Sequence, residues 1–123
     1  MPQGSINFSE IAKVAPETRR YNAGEAIFRK GDVGFELLII KLGEVEIQVD
    51  ERVLRTLQAG DIFGEMALVD DSTRSATAVA LSDVEIVPIS EKQFVNFIRQ
   101  APSFALDVMR VLTQRLLEET MRS

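Results

Sequence analysis

Gly60-Asp61-Ile62-Phe63-Gly64-Glu65-Met66-Ala67-Leu68-Val69-Asp70-Asp71-Ser72-Thr73-Arg74-Ser75-Ala76 joins a glycine-punctuated apolar stretch to an alternating one through a polar loop. Gly64 lets the backbone turn closely. Glu65-Met66-Ala67-Leu68 suits a single helical turn whose free amide hydrogens point outward, a cradle for an anion such as a phosphate. Arg74 and Ser75 follow where the alternating strand begins. The polar loop can fold back, so that the guanidinium adds charge-assisted hydrogen bonds to the same phosphate and Ser75 adds a hydroxyl. Glu65 is itself an anion and is matched instead to a sugar hydroxyl, from which it accepts. On the residues alone, a surface ion pair between Glu65 and Arg74, worth about 0–1 kcal/mol, also accounts for the pattern without any ligand.

Outward from this segment, glycine followed by an acid recurs at Gly24-Glu25, Gly31-Asp32, Gly43-Glu44, Gly60-Asp61 and Gly64-Glu65. Glycine supplies the backbone freedom a reversal needs and the acid keeps the turn wet, so short strands divided by such turns argue for a β-sandwich or barrel. Strands are expected at 26–29, 35–42, 45–49, 53–57, 75–81 and 84–89. Val45, Ile47 and Val49 alternate with Glu46 and Gln48, as in a strand with one wet face. Leu37-Leu38-Ile39-Ile40 is apolar on both faces and reads as the central strand, while Asp50-Glu51 reads as a hairpin turn.

After Ile89 the period becomes helical. Ser90-Glu91-Lys92-Gln93 has the form of a capping box, and Phe94, Phe97 and Ile98 fall on one face behind it. Pro102 is placed to open a second helix running to about Glu119. In that helix Ala105, Val108, Met109, Leu112 and Leu116 form an apolar stripe, flanked by Phe104, Val111 and Leu117. The surplus of apolar surface is consistent with a broad core face, a ligand's base, or the same helix of a second subunit, and the last motivates an expected homodimer. A short amphipathic helix is expected at Ser9 to Val14. No linker divides residues 1–123, which read as one domain.

Composition removes whole classes of chemistry. With no Cys and no His, thiolate and imidazole catalysis and the usual zinc ligand sets are gone, so an enzyme is not expected; carboxylates such as Asp70-Asp71, in a solvated loop, are the remaining candidates. A net charge of −5 with no Lys/Arg-rich run disfavours nucleic acid, although one buried Arg in a shaped pocket still serves a small anion. No leader-like pattern and no run of 18 apolar residues occurs, so a soluble cytoplasmic protein without membrane contact is expected.

Phe63-Gly64-Glu65-Met66-Ala67-Leu68 with Arg74-Ser75-Ala76 closely resembles the phosphate-binding cassette of the cyclic-nucleotide-binding domain family, which includes catabolite activators, kinase regulatory subunits and nucleotide-gated channels. The turn glycines and the two C-terminal helices resemble that family too, over about residues 8–120. The resemblance implies a mainly β fold: an eight-stranded jelly roll at about 18–89, an N-terminal helix, and hinge and C-helices at about 90–120. It implies that Gly64 and Glu65 and the amides near Met66 and Ala67 line the site. Glu65 would hold the ribose hydroxyl, and Arg74 and Ser75 the cyclic phosphate. Ile47 and Leu54 match positions lining ribose and base, and Arg115 resembles a C-helix arginine near the base. Thr73 departs from the proline common before the family's Arg. Either Glu119 or Thr120 falls where the catabolite activators place a Thr that reads adenine, which leaves cyclic AMP and cyclic GMP both open.

The expected function is therefore a regulatory module, with no cofactor, that binds cyclic AMP or cyclic GMP and signals through its C-helix to an effector protein. No helix-turn-helix follows in these 123 residues, so direct DNA contact is not expected. The alternative is a nucleotide-independent module on the same scaffold that docks a partner on the face of Val108, Leu112 and Leu116.

Overall fold

Alternation sorts the side chains of Leu37, Leu38, Ile39 and Ile40 onto two different cores. Leu38 and Ile40 join Val45, Ile47, Leu57, Phe63, Ala78, Ala80, Val84 and Ile86 in one buried cluster. Leu37 and Ile39 join Ile62, Val87, Ile89, Phe97, Phe104, Val108 and Val111 in the other. A strand whose successive residues face opposite sides can be apolar throughout only if both faces are covered, and here both are.

The computed structural model describes residues 17–65 and 73–122. Among these residues eight strands precede two helices: β1 (Arg19–Tyr21), β2 (Ala26–Phe28), β3 (Glu36–Leu42), β4 (Glu44–Val49), β5 (Arg52–Gln58), β6 (Ile62–Phe63), β7 (Thr77–Ala80), β8 (Val84–Ser90), α1 (Glu91–Gln100) and α2 (Ser103–Arg122). They form two antiparallel sheets in the orders β1-β8-β3-β6 and β2-β7-β4-β5, the interleaved order of a jelly roll. The first sheet packs its inner face on the second and its outer face on the helices. The strands β1 and β6 were not expected from periodicity, and the helix expected at Ser9–Val14 lies outside the described residues.

Local chemistry fixes the joints. Asp50 and Glu51 both adopt positive φ, 51° and 66°, as the two-residue hairpin between β4 and β5 requires. The capping box of α1 is complete: Ser90 Oγ accepts from the Gln93 amide at 3.2 Å, and Gln93 Oε1 accepts from the Ser90 amide at 2.9 Å. Pro102 sits one residue before α2, in a turn where the Phe104 amide donates to Ala101 O. Among the described residues no helix is long and apolar enough to cross a membrane.

The inward face of α2 differs from the expected stripe. Phe104, Val108 and Val111 are buried, whereas Met109 and Leu116 are 55% and 63% exposed. The helix is rotated so that Phe104 packs on Phe97 and meets Phe94 edge-on in α1, with ring centroids 5.2 and 5.6 Å away. Of the face expected to dock a partner in the alternative reading, Val108 is buried and Leu112 partly buried, while Leu116 is exposed. The apolar residues left outward are Leu106, Met109, Leu116, Leu117 and Met121.

Candidate ligand-binding site

Beyond its packed half, α2 continues past the edge of the roll and roofs a cavity of about 190 Å³. Phe28, Ile47, Leu54, Leu57, Phe63 and Ala76 supply its apolar wall, and Gly64, Glu65, Thr73, Arg74 and Ser75 its polar end. From the roof come Arg115 and Glu119, one helical turn apart, and from β5 comes Arg55. Among the described lining residues, three guanidinium groups stand against two carboxylates, although the chain as a whole carries −5.

Arg74 is held from several sides. Its amide donates to Asp32 O at 2.7 Å and its carbonyl accepts from the Gly31 amide at 2.8 Å, pinning the residue to the turn before β3. The side chain then runs inward: Nη1 donates to Gly64 O at 3.2 Å and Nη2 to Glu36 O at 3.0 Å, while Cζ lies 4.4 Å from the centre of the Phe28 ring. Burial lowers the guanidinium below the ordinary arginine value, partly offset by the carboxylates of Glu36, Glu65 and Asp32. Gly64 itself adopts φ 73°, a conformation costly to other residues.

Glu65 does not pair with Arg74. Its Oε1 accepts from Arg115 Nη1 at 3.1 Å, and Arg115 Nη2 also donates to Ile62 O. Farther along the roof, Arg55 donates from Nη2 to Glu119 Oε1. The Arg55 side chain is only 11% exposed and that of Glu119 is 53% exposed. The two ion pairs, one helical turn apart on α2, tie the helix to the roll at the cavity.

The structure thus brings Ile47, Leu54, Gly64, Glu65, Arg74, Ser75 and Arg115 to a single cavity wall. Met66 and Ala67 lie outside the described residues. Of the alternatives near the C-terminus, Glu119 reaches the cavity, whereas the Thr120 hydroxyl donates to Leu116 O within the helix. Phe28 and Arg55 complete the wall without having been singled out in the sequence.

The family model for the cyclic nucleotide-binding domain matches residues 18–101. The chain belongs to this family. The cyclic AMP receptor protein of Thermus thermophilus is 36% identical over 107 residues, covering 83% of this chain and 50% of that protein. The cGMP-dependent protein kinase of Eimeria tenella is 43% identical over 84 residues, covering 68% of this chain and 8% of the kinase. Among solved structures, the Thermus thermophilus catabolite activator protein matches with a TM-score of 0.76 at 31% identity, over 93% of this chain and 57% of that one. The chain spans half or less of the length of these two curated relatives.

For a cyclic nucleotide-binding domain, the way Leu54 and Arg55 share the cavity is informative. Ile47 pairs with Arg55, but Gln48 pairs with Val53, so Leu54 is an extra residue in β5. Such a bulge turns two consecutive side chains toward one space. Arg55 is also in phase with Leu57, which is buried in the roll, so the strand's own period carries the charge inward.

Proposed function

We propose that this domain binds a cyclic purine nucleotide in the cavity under α2, prefers guanine to adenine, and reports occupancy through the position of α2. The observation that carries the reading is the wall itself: a half-buried guanidinium at Arg74 and a carboxylate at Glu65 face one concave space. Arg74 and Ser75 would bind the cyclic phosphate and Glu65 the ribose hydroxyl, with Gly64 and the amides near Met66 and Ala67 completing the cradle. Ile47 and Leu54 would cover the sugar and base.

The base preference rests on the chemistry of the Arg55–Glu119 pair. Guanine presents the acceptors O6 and N7 to a guanidinium such as Arg55, and its N1 and N2 donors suit a carboxylate such as Glu119. Adenine offers a donor where guanine has O6, which sets donor against donor at Arg55. The relatives' names include both a cyclic AMP receptor protein and a cGMP-dependent kinase, so the choice rests on this chemistry alone. Signalling follows because Arg115 and Glu119 contact the roll through groups the ligand would also use, so ligand and helix position are thermodynamically linked. Calorimetry is expected to give saturable heat with cyclic GMP and weaker binding of cyclic AMP. No heat and no competition with either at millimolar concentration overturns the reading.

A homodimer through α2 belongs to the same proposal. Leu106, Met109 and Leu117 border one shallow groove on the side of α2 away from the roll. Sedimentation at high micromolar concentration is expected to give a dimer and Met109→Glu a monomer; a monomeric wild type overturns it.

A further inference from the structure

We infer that Gly34 is a positioning residue: it is glycine so that the guanidinium of Arg74 can lie flat beside the backbone and face the cavity. The inference rests on the reading of that cavity as an anion site, and it concerns a residue no part of the binding constellation includes.

The other glycines of the described residues, Gly24, Gly31, Gly43, Gly60 and Gly64, all have positive φ, so their backbone conformation accounts for them. Gly34 does not, and it is buried. An alanine would be free to adopt its conformation, so the requirement must come from space. A Cβ at Gly34 would overlap Nε and Cζ of Arg74 and stand 2.7 Å from Nη2. The Phe28 ring also packs on the guanidinium, its centre 4.4 Å from Cζ. Its edge is closed by the carbonyls of Gly64 and Glu36. The group is therefore packed against an aromatic ring, two carbonyls and a backbone without a side chain, with no room left at Gly34 for a Cβ.

What would give way decides the effect. The atoms a Cβ meets at Gly34 belong to the outer part of a flexible side chain, not to backbone. A methyl group there should evict the guanidinium and leave the fold intact. At Gly43, by contrast, a Cβ would meet the Asp83 carbonyl at 2.5 Å, where backbone would have to move. Loss of binding without loss of stability is thus the signature of Gly34 acting through Arg74.

The test has one arm without ligand and one with it. In the ligand-free domain the Arg74 Nε–H resonance, identified by its absence in Arg74→Ala, is expected to shift in Gly34→Ala as it leaves the Phe28 ring. An unmoved resonance overturns the inference, as does a fall of more than about 5 °C in the thermal midpoint or failure to fold, since backbone would then have yielded. In the second arm, Gly34→Ala should weaken cyclic GMP about tenfold, and by less than about twofold when Arg74 is already Ala. Wild-type affinity in Gly34→Ala, or an equal tenfold loss in both backgrounds, overturns it. Failure of the wild type to take up either nucleotide would count against the cavity reading alone, because the first arm needs no ligand.

Discussion

Replacing Arg74 with Ala is expected to weaken cyclic nucleotide binding by about a hundredfold or more while moving the thermal midpoint of the ligand-free domain by no more than about 2 °C. The two halves of this expectation have different causes. A guanidinium on a phosphate makes charge-assisted hydrogen bonds worth about 1.5–3 kcal/mol each, and a methyl group makes none. In the empty domain the same group is half-buried and its charge is disfavoured by burial, so its two bonds to Gly64 O and Glu36 O are set against desolvation. Removing it forfeits those bonds and relieves that penalty together. Calorimetry measures the first half and thermal unfolding the second. At a hundred times the dissociation constant a ligand adds about 2.7 kcal/mol to the wild type, so nucleotide should raise the wild-type midpoint and leave that of Arg74→Ala nearly unchanged. Tenfold or smaller loss of affinity, with the midpoint still raised, would mean that the phosphate is held elsewhere.

The fold was legible because its signals are local and redundant. The turn glycines, the alternation in β4, the two-faced apolar run of β3 and the capping box at Ser90 each need only their own neighbourhood to be read. What escaped was whatever depends on a partner far along the chain. Arg19-Arg20-Tyr21 carries no strand pattern and becomes β1 because it finds the edge of β8, with Arg19 held by the Glu36 carboxylate at 2.8 and 2.9 Å. Ile62-Phe63 is too short for a period to appear. The rotation of α2 was set by aromatic contacts with α1, which a single-helix stripe does not contain.

The site divides in the same way. Gly64, Glu65, Arg74 and Ser75 lie within one short segment, so their spacing could be read directly as an anion cradle. Their partners could not. Glu65 and Arg74 are close in sequence and oppositely charged, yet each is engaged elsewhere, with Arg115 from α2 in one case and with backbone carbonyls in the other. Arg55 gave one signal that was there to be used, an arginine in phase with Leu57. A charged residue in a strand is ordinarily assigned to the wet face, and the bulge at Leu54 is invisible without the register of β4. Phe28 gave no signal beyond that of any strand aromatic.

Arg55 carries the second large expectation: Arg55→Ala should reduce a preference of cyclic GMP over cyclic AMP of about ten- to hundredfold to within about threefold of parity, chiefly by weakening cyclic GMP. A guanidinium has five N–H donors, so Arg55 can keep Glu119 on one side while offering two donors to O6 and N7 on the other. For adenine the same group is a liability, because N6 is also a donor, and its removal should leave cyclic AMP unchanged or slightly tighter. Glu119→Gln separates the two roles. It keeps the shape of the roof but removes the charge that orients Arg55 and accepts from N1 and N2, so it should lower cyclic GMP affinity more than cyclic AMP affinity. Because Glu119 rides on α2 and Arg55 on β5, a base bridging them would also hold the helix against the roll, and base choice and signal would share one pair of side chains. Competition of the two nucleotides against a fluorescent analogue gives the ratio directly. A wild type that favours cyclic AMP, or an Arg55→Ala ratio equal to that of the wild type, places base selection outside this ion pair.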